Sequence, residues 1–145
     1  MTRNEIIVGL DDSPSGRAAL SWATRQAVLA DSLLRAIHVL DWPYGVATDP
    51  EVNPSQPSHD EIDESYRSSI ATVFEQANPH PDWQLEFARG DAGPVLVREA
   101  KDAQLLVVGT REHVGLGRLL VGSISHYCLT HAECPVVAVH AGTLW

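Results

Sequence analysis

Apolar runs and helical periodicities alternate along the whole chain. Short apolar or alternating runs predict strands at residues 5–10, 33–40, 83–87, 105–108 and 135–140. Apolar residues that recur three and four positions apart predict helices at residues 18–30, 59–77, 93–100 and 122–132. Alternating strands and helices are typical of the α/β class, and residues 1–145 are expected to form a single domain.

The order of these segments predicts a doubly wound, Rossmann-like parallel sheet of five strands with helices on both faces. Right-handed crossovers restrict the topology, and the expected strand order is 3-2-1-4-5. Ligands of such sheets bind at the carboxyl ends of the strands, where the winding reverses between strands 1 and 4. Asp11 follows the first strand and Gly109 ends the fourth, so these residues are expected to lie close together.

Polar residues and prolines mark where the helices begin and where loops intervene. Ser13 is predicted to cap the first helix, with Pro14 at its first position, and Asp91 and Ser123 are predicted to cap later helices. Residues 41–58 contain several prolines and no periodicity, which predicts a mobile loop over the ligand site. A functional loop and a tolerated insertion are equally compatible with this composition.

The segment from Gly109 to Ser123 joins a buried strand to a helix through a glycine-rich loop. Unpaired N–H groups and the positive end of a helix dipole meet there, an arrangement that suits an anionic ligand and above all phosphate. The segment lacks the lysine of a Walker A loop, and it contains no Gly-x-Gly-x-x-Gly sequence.

The spacing Gly109-x-x-Glu112, nine residues, then Gly122-Ser123 resembles the signature of the universal stress protein family. That signature has a glycine where this chain has Glu112. The resemblance extends to residues 8–13, 37–39 and 133–137, and so it covers the whole chain. It implies binding of ATP or a related adenine nucleotide as the cofactor, with magnesium as a candidate accompanying ion.

The resemblance also implies individual roles. Asp11 is expected near the adenosine, Val39 is expected to meet adenine through its backbone, and Gly109, Gly122 and Ser123 are expected to hold ribose and phosphates. Arg111 lies in the same loop, although no role transfers to it. The candidate nucleotide-binding residues are Leu10, Asp11, Val39, Gly109, Arg111, Gly122, Ser123 and Ile124. Purely structural roles also suit them: a strand end for Gly109, a helix start for Gly122 and Ser123, and a turn cap for Asp11.

Glu112 leaves the function open between alternatives. Its carboxylate would repel a phosphate by about 1 kcal/mol in water and by about 4 kcal/mol at intermediate dielectric, whereas a bridging magnesium ion would reverse the sign. The main hypothesis is a regulatory protein that binds an adenine nucleotide, and Glu112→Gly is then expected to raise the affinity for ATP more than for adenosine. The alternative is an interaction module whose pocket Glu112 impairs. A slow ATPase is the third hypothesis, which the lack of an obvious catalytic base weakens.

Composition and net charge restrict the classes of partner that the protein is expected to bind. A net charge of −9 argues against nucleic acid, and no apolar run is long enough to span a membrane. No leader precedes the first strand, so a cytoplasmic protein is expected. Cys128 and Cys134 are interpreted as buried thiols in preference to a disulfide, and no catalytic or metal-binding residues are assigned. The short apolar strand at 136–139 is expected to form a homodimer through its free edge, as in similar family members; no other protein partner is indicated.

Overall fold

The protein's computed structural model describes residues 2–40, 59–110 and 122–142, with side chains from residue 63 onward in the middle range. Strands and helices alternate through these ranges. In chain order they are β1 (Arg3–Gly9), α1 (Pro14–Ala30), β2 (Leu33–Leu40), α2 (His59–Gln76), β3 (Gln84–Arg89), α3 (Ala92–Glu99), β4 (Ala103–Gly109), α4 (Ser123–His131) and β5 (Val136–Val139). The predicted loop at 41–58 lies outside the described residues.

The strands form one parallel sheet in the order β3-β2-β1-β4-β5. Val8 in the middle of β1 lies opposite Ala36 of β2 on one side and Val107 of β4 on the other. The predicted fold class and strand order are therefore confirmed. The carboxyl ends of β1 and β4 are neighbours, because the direction of winding reverses between them.

Two apolar clusters cover the two faces of the sheet, because successive residues of a strand point to opposite faces. Ile6 and Val8 belong to the cluster that includes α1 and α2, whereas Ile7 belongs to the cluster that includes α3 and α4. Helix α1 contributes mainly small residues, and Ala19 and Ala23 are completely buried. These alanines let the helix approach the sheet closely.

The start of α1 follows the prediction. Ser13 has an extended backbone, its hydroxyl oxygen accepts a hydrogen bond from the Gly16 N–H at 3.0 Å, and Pro14 follows at the first helical position. The helix ends at Asp31, whose left-handed φ of 51° lets its N–H reach the carbonyl groups of Ala27 and Val28.

Two predicted details of the helices need correction. Gly122, not Ser123, is the N-cap of α4, because the Gly122 carbonyl already accepts from the His126 N–H at 2.9 Å and Ser123 is the first helical residue. Tyr66 is one of the apolar residues whose spacing predicts the helix at 59–77, and such residues are expected on its buried face, but it is 53% exposed. Asp91 does precede α3 as its N-cap, but its side chain makes no capping hydrogen bond.

The amino-terminal part of the sheet carries a cluster of charged side chains around Arg35 of β2. The guanidinium donates to carboxylates of Glu5 at 3.0 Å and of Glu86 and Glu99 at 3.1 Å each, and to the Glu99 carbonyl at 3.2 Å. Burial alone would lower the pKa of Arg35, but the charges of Glu5 and Glu86 and the hydrogen bonds of Glu99 and Glu86 raise it. One side chain thus joins β1, β2, β3 and α3.

Both cysteines are free thiols. Cys128 of α4 is completely buried, while Cys134 is only half-buried, less than the sequence predicted. Burial, together with the neighbouring Cys134, raises the pKa of the Cys128 thiol to about 11, and burial also raises the pKa of Cys134.

The Cys128 thiol should therefore make stability depend on alkaline pH. The folded state keeps the thiol protonated up to a pKa of about 11, above the ordinary value of 9.0, so the unfolded chain loses its proton first. The free energy of unfolding is expected to fall as pH rises through this window, and to fall less steeply in Cys128→Ala. Denaturant titrations of both proteins across the window measure the difference, and Leu129→Ala, which changes an exposed residue of α4 without a titratable group, is the matched control. Parallel curves for the parent and Cys128→Ala would contradict the assignment.

Within the described ranges, none of the helices combines the length and hydropathy that crossing a bilayer would demand. The same residues contain no group of three or more histidine, cysteine, aspartate or glutamate side chains placed to hold a metal ion.

Candidate functional site

A pocket opens at the carboxyl edge of the sheet, where β1, β2 and β4 end and where α3 and α4 begin. Residues from five separated parts of the chain line it. Those that the sequence had nominated are Leu10, Asp11, Val39, Gly109, Gly122, Ser123 and Ile124. The remaining nominated residues, Arg111 and the doubtful Glu112, lie outside the described residues. The topology therefore brings together every nominated residue that the structure describes.

The segment after β1 forms a tight turn around the Asp11 carboxylate. Its Oδ1 atom accepts hydrogen bonds from the Ser13 N–H at 3.0 Å and from the Ser13 hydroxyl. A Cβ atom at Gly16 would lie 2.0 Å from the same oxygen, so only glycine fits at that position of α1. Asp11 thus has the predicted structural role as a turn cap while also lining the pocket.

Gly109 is required for packing, whatever else it contacts. A Cβ atom there would lie 2.7 Å from the carbonyl carbon, the carbonyl oxygen and the side-chain Oγ of Ser15. Ser15 is buried in the first turn of α1, so the end of β4 lies directly against the backbone of that helix. This contact explains the glycine at the mouth of the pocket without reference to a ligand.

A backbone hydrogen bond joins Thr110 and Gly122, which lie near the two ends of the glycine-rich segment. The Gly122 N–H donates to the Thr110 carbonyl at 2.7 Å, which sets the start of α4 beside the end of β4. The Gly122 carbonyl in turn accepts from the Ser125 hydroxyl at 3.0 Å. The first N–H groups of a helix have no acceptor within it, and Ser123 and Ile124, which carry two of these groups in α4, both line the pocket.

The charges of the lining residues bear on the kind of ligand that the pocket can bind. Asp11 lines it, and no lysine or arginine does so among the lining residues that the structure describes. Among the described residues, a bound anion would thus depend on backbone N–H groups, the α4 dipole and the Ser123 hydroxyl, because the Ser125 hydroxyl already donates to the Gly122 carbonyl. Apolar residues of β2 and α3 also line the pocket, including Ile37, Val39, Ala92 and Leu96. A ligand that combines an apolar ring with a phosphate matches these two kinds of surface.

Several lining residues were missed by sequence reasoning. His38 had no partner visible in the sequence, yet its Nδ1 atom lies 2.7 Å from the Leu10 carbonyl oxygen. Ala92 and Leu96 line the pocket because α3 starts at the carboxyl end of β3, a placement that the predicted topology already implied. Gly9 allows Leu96 to approach, since a Cβ atom there would lie 2.8 Å from Leu96 Cδ1.

Residues 2–140 match a sequence model described as the universal stress protein family. The chain belongs to the universal stress protein family. A universal stress protein of Mycobacterium tuberculosis is 38% identical to it, over 93% of this chain and 47% of the relative. The chain spans about half the length of the curated relatives it matches.

Solved structures of family members share the fold. The universal stress protein UspA of Lactobacillus plantarum superposes with a TM-score of 0.74 at 22% identity, over 96% of this chain and 99% of its own. A universal stress protein of Archaeoglobus fulgidus in complex with dAMP superposes with a TM-score of 0.63 at 19% identity, over 96% of this chain and 99% of its own. These structures confirm the fold, and the sequence match over residues 2–140 confirms the family membership expected from the loop and the strand ends.

Proposed function

We propose that this universal stress protein is a regulatory protein that binds an adenine nucleotide in the pocket at the carboxyl edge of its sheet. The observation that carries the proposal is the meeting of Asp11, Val39, Gly109, Gly122 and Ser123 around one pocket. These residues come from distant parts of the sequence; the family signature nominated Gly109, Gly122 and Ser123, and the wider family resemblance nominated Asp11 and Val39. A pocket at the point where the winding reverses is where such folds hold nucleotides.

The pocket offers two kinds of surface, one suited to the base of a nucleotide and one suited to its phosphate. The apolar wall from β2 and α3 offers a surface for the base, and the start of α4 offers N–H groups for phosphate. The dAMP held by the Archaeoglobus fulgidus protein supports adenine as the base. ATP or a related adenine nucleotide, with magnesium as its candidate ion, is the proposed ligand here.

A charge placed at the start of α4 tests the proposal. Ser123 is exposed at the first position of the helix, where aspartate is well tolerated. Ser123→Asp is expected to weaken ATP and AMP binding by about tenfold or more, because charges about 4 Å apart repel by roughly 1 to 4 kcal/mol. Adenosine, which has no phosphate, should lose much less.

Ser69→Asp on the exposed surface of α2 is the matched control, since it adds the same charge away from the pocket. Calorimetric titration with ATP, AMP and adenosine, together with mass spectrometry of molecules released from the purified protein, measures the result. Absence of binding to the parent protein would favour the interaction module instead. Steady phosphate release from ATP would favour the ATPase.

We also propose that the chain forms a homodimer through β5. This strand pairs only with β4, and its other edge is free within the described chain. Its residues Val136 and Val137 are half-buried, so pairing with a second copy would cover apolar side chains and satisfy backbone groups. Light scattering at micromolar concentration is expected to give the mass of a dimer, and a monomer mass would overturn this proposal.

A further inference from the structure

Both backbone polar groups of Leu10 are bound by strand β2. The Leu10 N–H donates to the Ile37 carbonyl at 2.8 Å, and the Leu10 carbonyl oxygen lies 2.7 Å from Nδ1 of His38. Strand β1 ends at Gly9, so this carbonyl is held by a side chain just beyond the strand. Leu10 and His38 both line the pocket.

The chemistry of this contact fixes which nitrogen carries the proton. A carbonyl oxygen can only accept a hydrogen bond, so Nδ1 of His38 must be the donor. The imidazole is also held by its neighbours: Phe87 meets it edge-on, with ring centroids 6.1 Å apart and planes at 75°. The guanidinium carbon of Arg67 lies 4.8 Å from the centre of the Phe87 ring, which holds that ring in turn.

The bond acts on the pocket through the peptide that joins Leu10 to Asp11. A peptide unit is planar, so fixing the direction of its carbonyl fixes the whole unit as far as the Cα atom of Asp11. The Asp11 carboxylate then accepts a hydrogen bond from the Ser13 N–H, and the Ser13 hydroxyl caps α1. The hydrogen bond of the His38 imidazole is thus the first in a series of contacts. Together these contacts position Leu10 and Asp11, which form one part of the pocket wall.

We propose that His38 is a positioning residue of the nucleotide pocket, acting through its hydrogen bond to the Leu10 carbonyl. The inference rests on the proposed function for the identity of the ligand. The contact itself is independent of any ligand, which allows the two proposals to be tested apart.

Two substitutions separate the hydrogen bond from the volume of the side chain. His38→Asn keeps an N–H donor near the place of Nδ1, whereas His38→Leu fills similar space without a donor. We expect His38→Leu to bind AMP about tenfold more weakly than the parent protein, a change of about 1.4 kcal/mol, because an acceptor loses its partner. His38→Asn is expected to stay within about threefold of the parent, a difference of roughly 0.7 kcal/mol. Calorimetric titration with AMP gives both affinities, and thermal unfolding confirms that each variant is folded.

Equal losses in the two variants would overturn the proposal, since the donor would then be irrelevant, and so would unchanged affinity in His38→Leu. Proton–nitrogen correlation NMR of the imidazole in the parent protein provides the independent measurement. A hydrogen on Nδ1 supports the contact even if the parent binds no AMP, in which case the proposed function alone fails. A ring that is protonated only at Nε2 overturns the contact, whatever the affinity for AMP.

Discussion

Gly109→Ala should destabilise the protein by about 3 kcal/mol, at the upper end of the cost of overfilling a packed site. The added Cβ atom would lie 2.7 Å from two backbone atoms and the Oγ of Ser15. Backbone at the start of a helix cannot rotate away as a flexible side-chain end can. The end of β4 and the first turn of α1 would have to separate, and both border the pocket.

Gly142→Ala is the matched control for this prediction. A Cβ atom at Gly142 would meet no atom of the described residues within 4 Å, so its effect is expected to stay within about 0.5 kcal/mol. Chemical denaturation of the parent and both variants measures the two differences. If Gly109→Ala were as stable as Gly142→Ala, the close approach of β4 to Ser15 would be wrong.

Arg35→Met should lower the free energy of unfolding by about 2 kcal/mol. Removing the guanidinium leaves the carboxylates of Glu5, Glu86 and Glu99 close together without their shared cation. The expected loss is smaller than the roughly 3–5 kcal/mol of fully buried pairs, because Glu86 and Glu99 remain 40% and 33% exposed and water screens them.

Arg35→Lys distinguishes charge from geometry in the same cluster. It keeps the positive charge but cannot reach several partners at once as the planar guanidinium does, so an intermediate stability is expected. Arg25→Met is the matched control, because Arg25 is exposed on α1 and makes none of the ion pairs found in the described chain. Equal stability of Arg35→Met and Arg25→Met would show that the cluster adds nothing to the fold.

The periodicity was sufficient to predict the order of the sheet, because each strand and helix has its own apolar pattern and crossovers have one hand. The bounds of β2 agree with the prediction, whereas β1 starts earlier, at Arg3. Arg3 donates its N–H to the Asp102 carbonyl at 2.6 Å, a backbone contact that leaves no apolar signal in the sequence. Strand ends made of polar residues are invisible to a search for apolar runs.

The parts of the candidate site that a sequence motif marks could be predicted. The contacts that backbone atoms from distant parts of the sequence make with it could not. The glycine-rich loop nominated Gly109 and Gly122, but the contact of Gly109 with Ser15 crosses between two elements far apart in sequence. His38 was missed because its partner is a main-chain oxygen 28 residues earlier. Ser123 looked like a cap because its hydroxyl suits that role, yet the preceding glycine already had the extended backbone that a cap needs.

The bond between Thr110 and Gly122 also has a consequence for how this domain can diversify. Thr110 follows the last residue of β4 and Gly122 precedes the first residue of α4, and their backbone groups are 2.7 Å apart. This bond places the end of the strand beside the start of the helix through main-chain atoms alone, and the entropy of closing a loop rises only slowly with its length. Substitutions or short insertions between positions 111 and 121 are therefore expected to preserve this contact between β4 and α4.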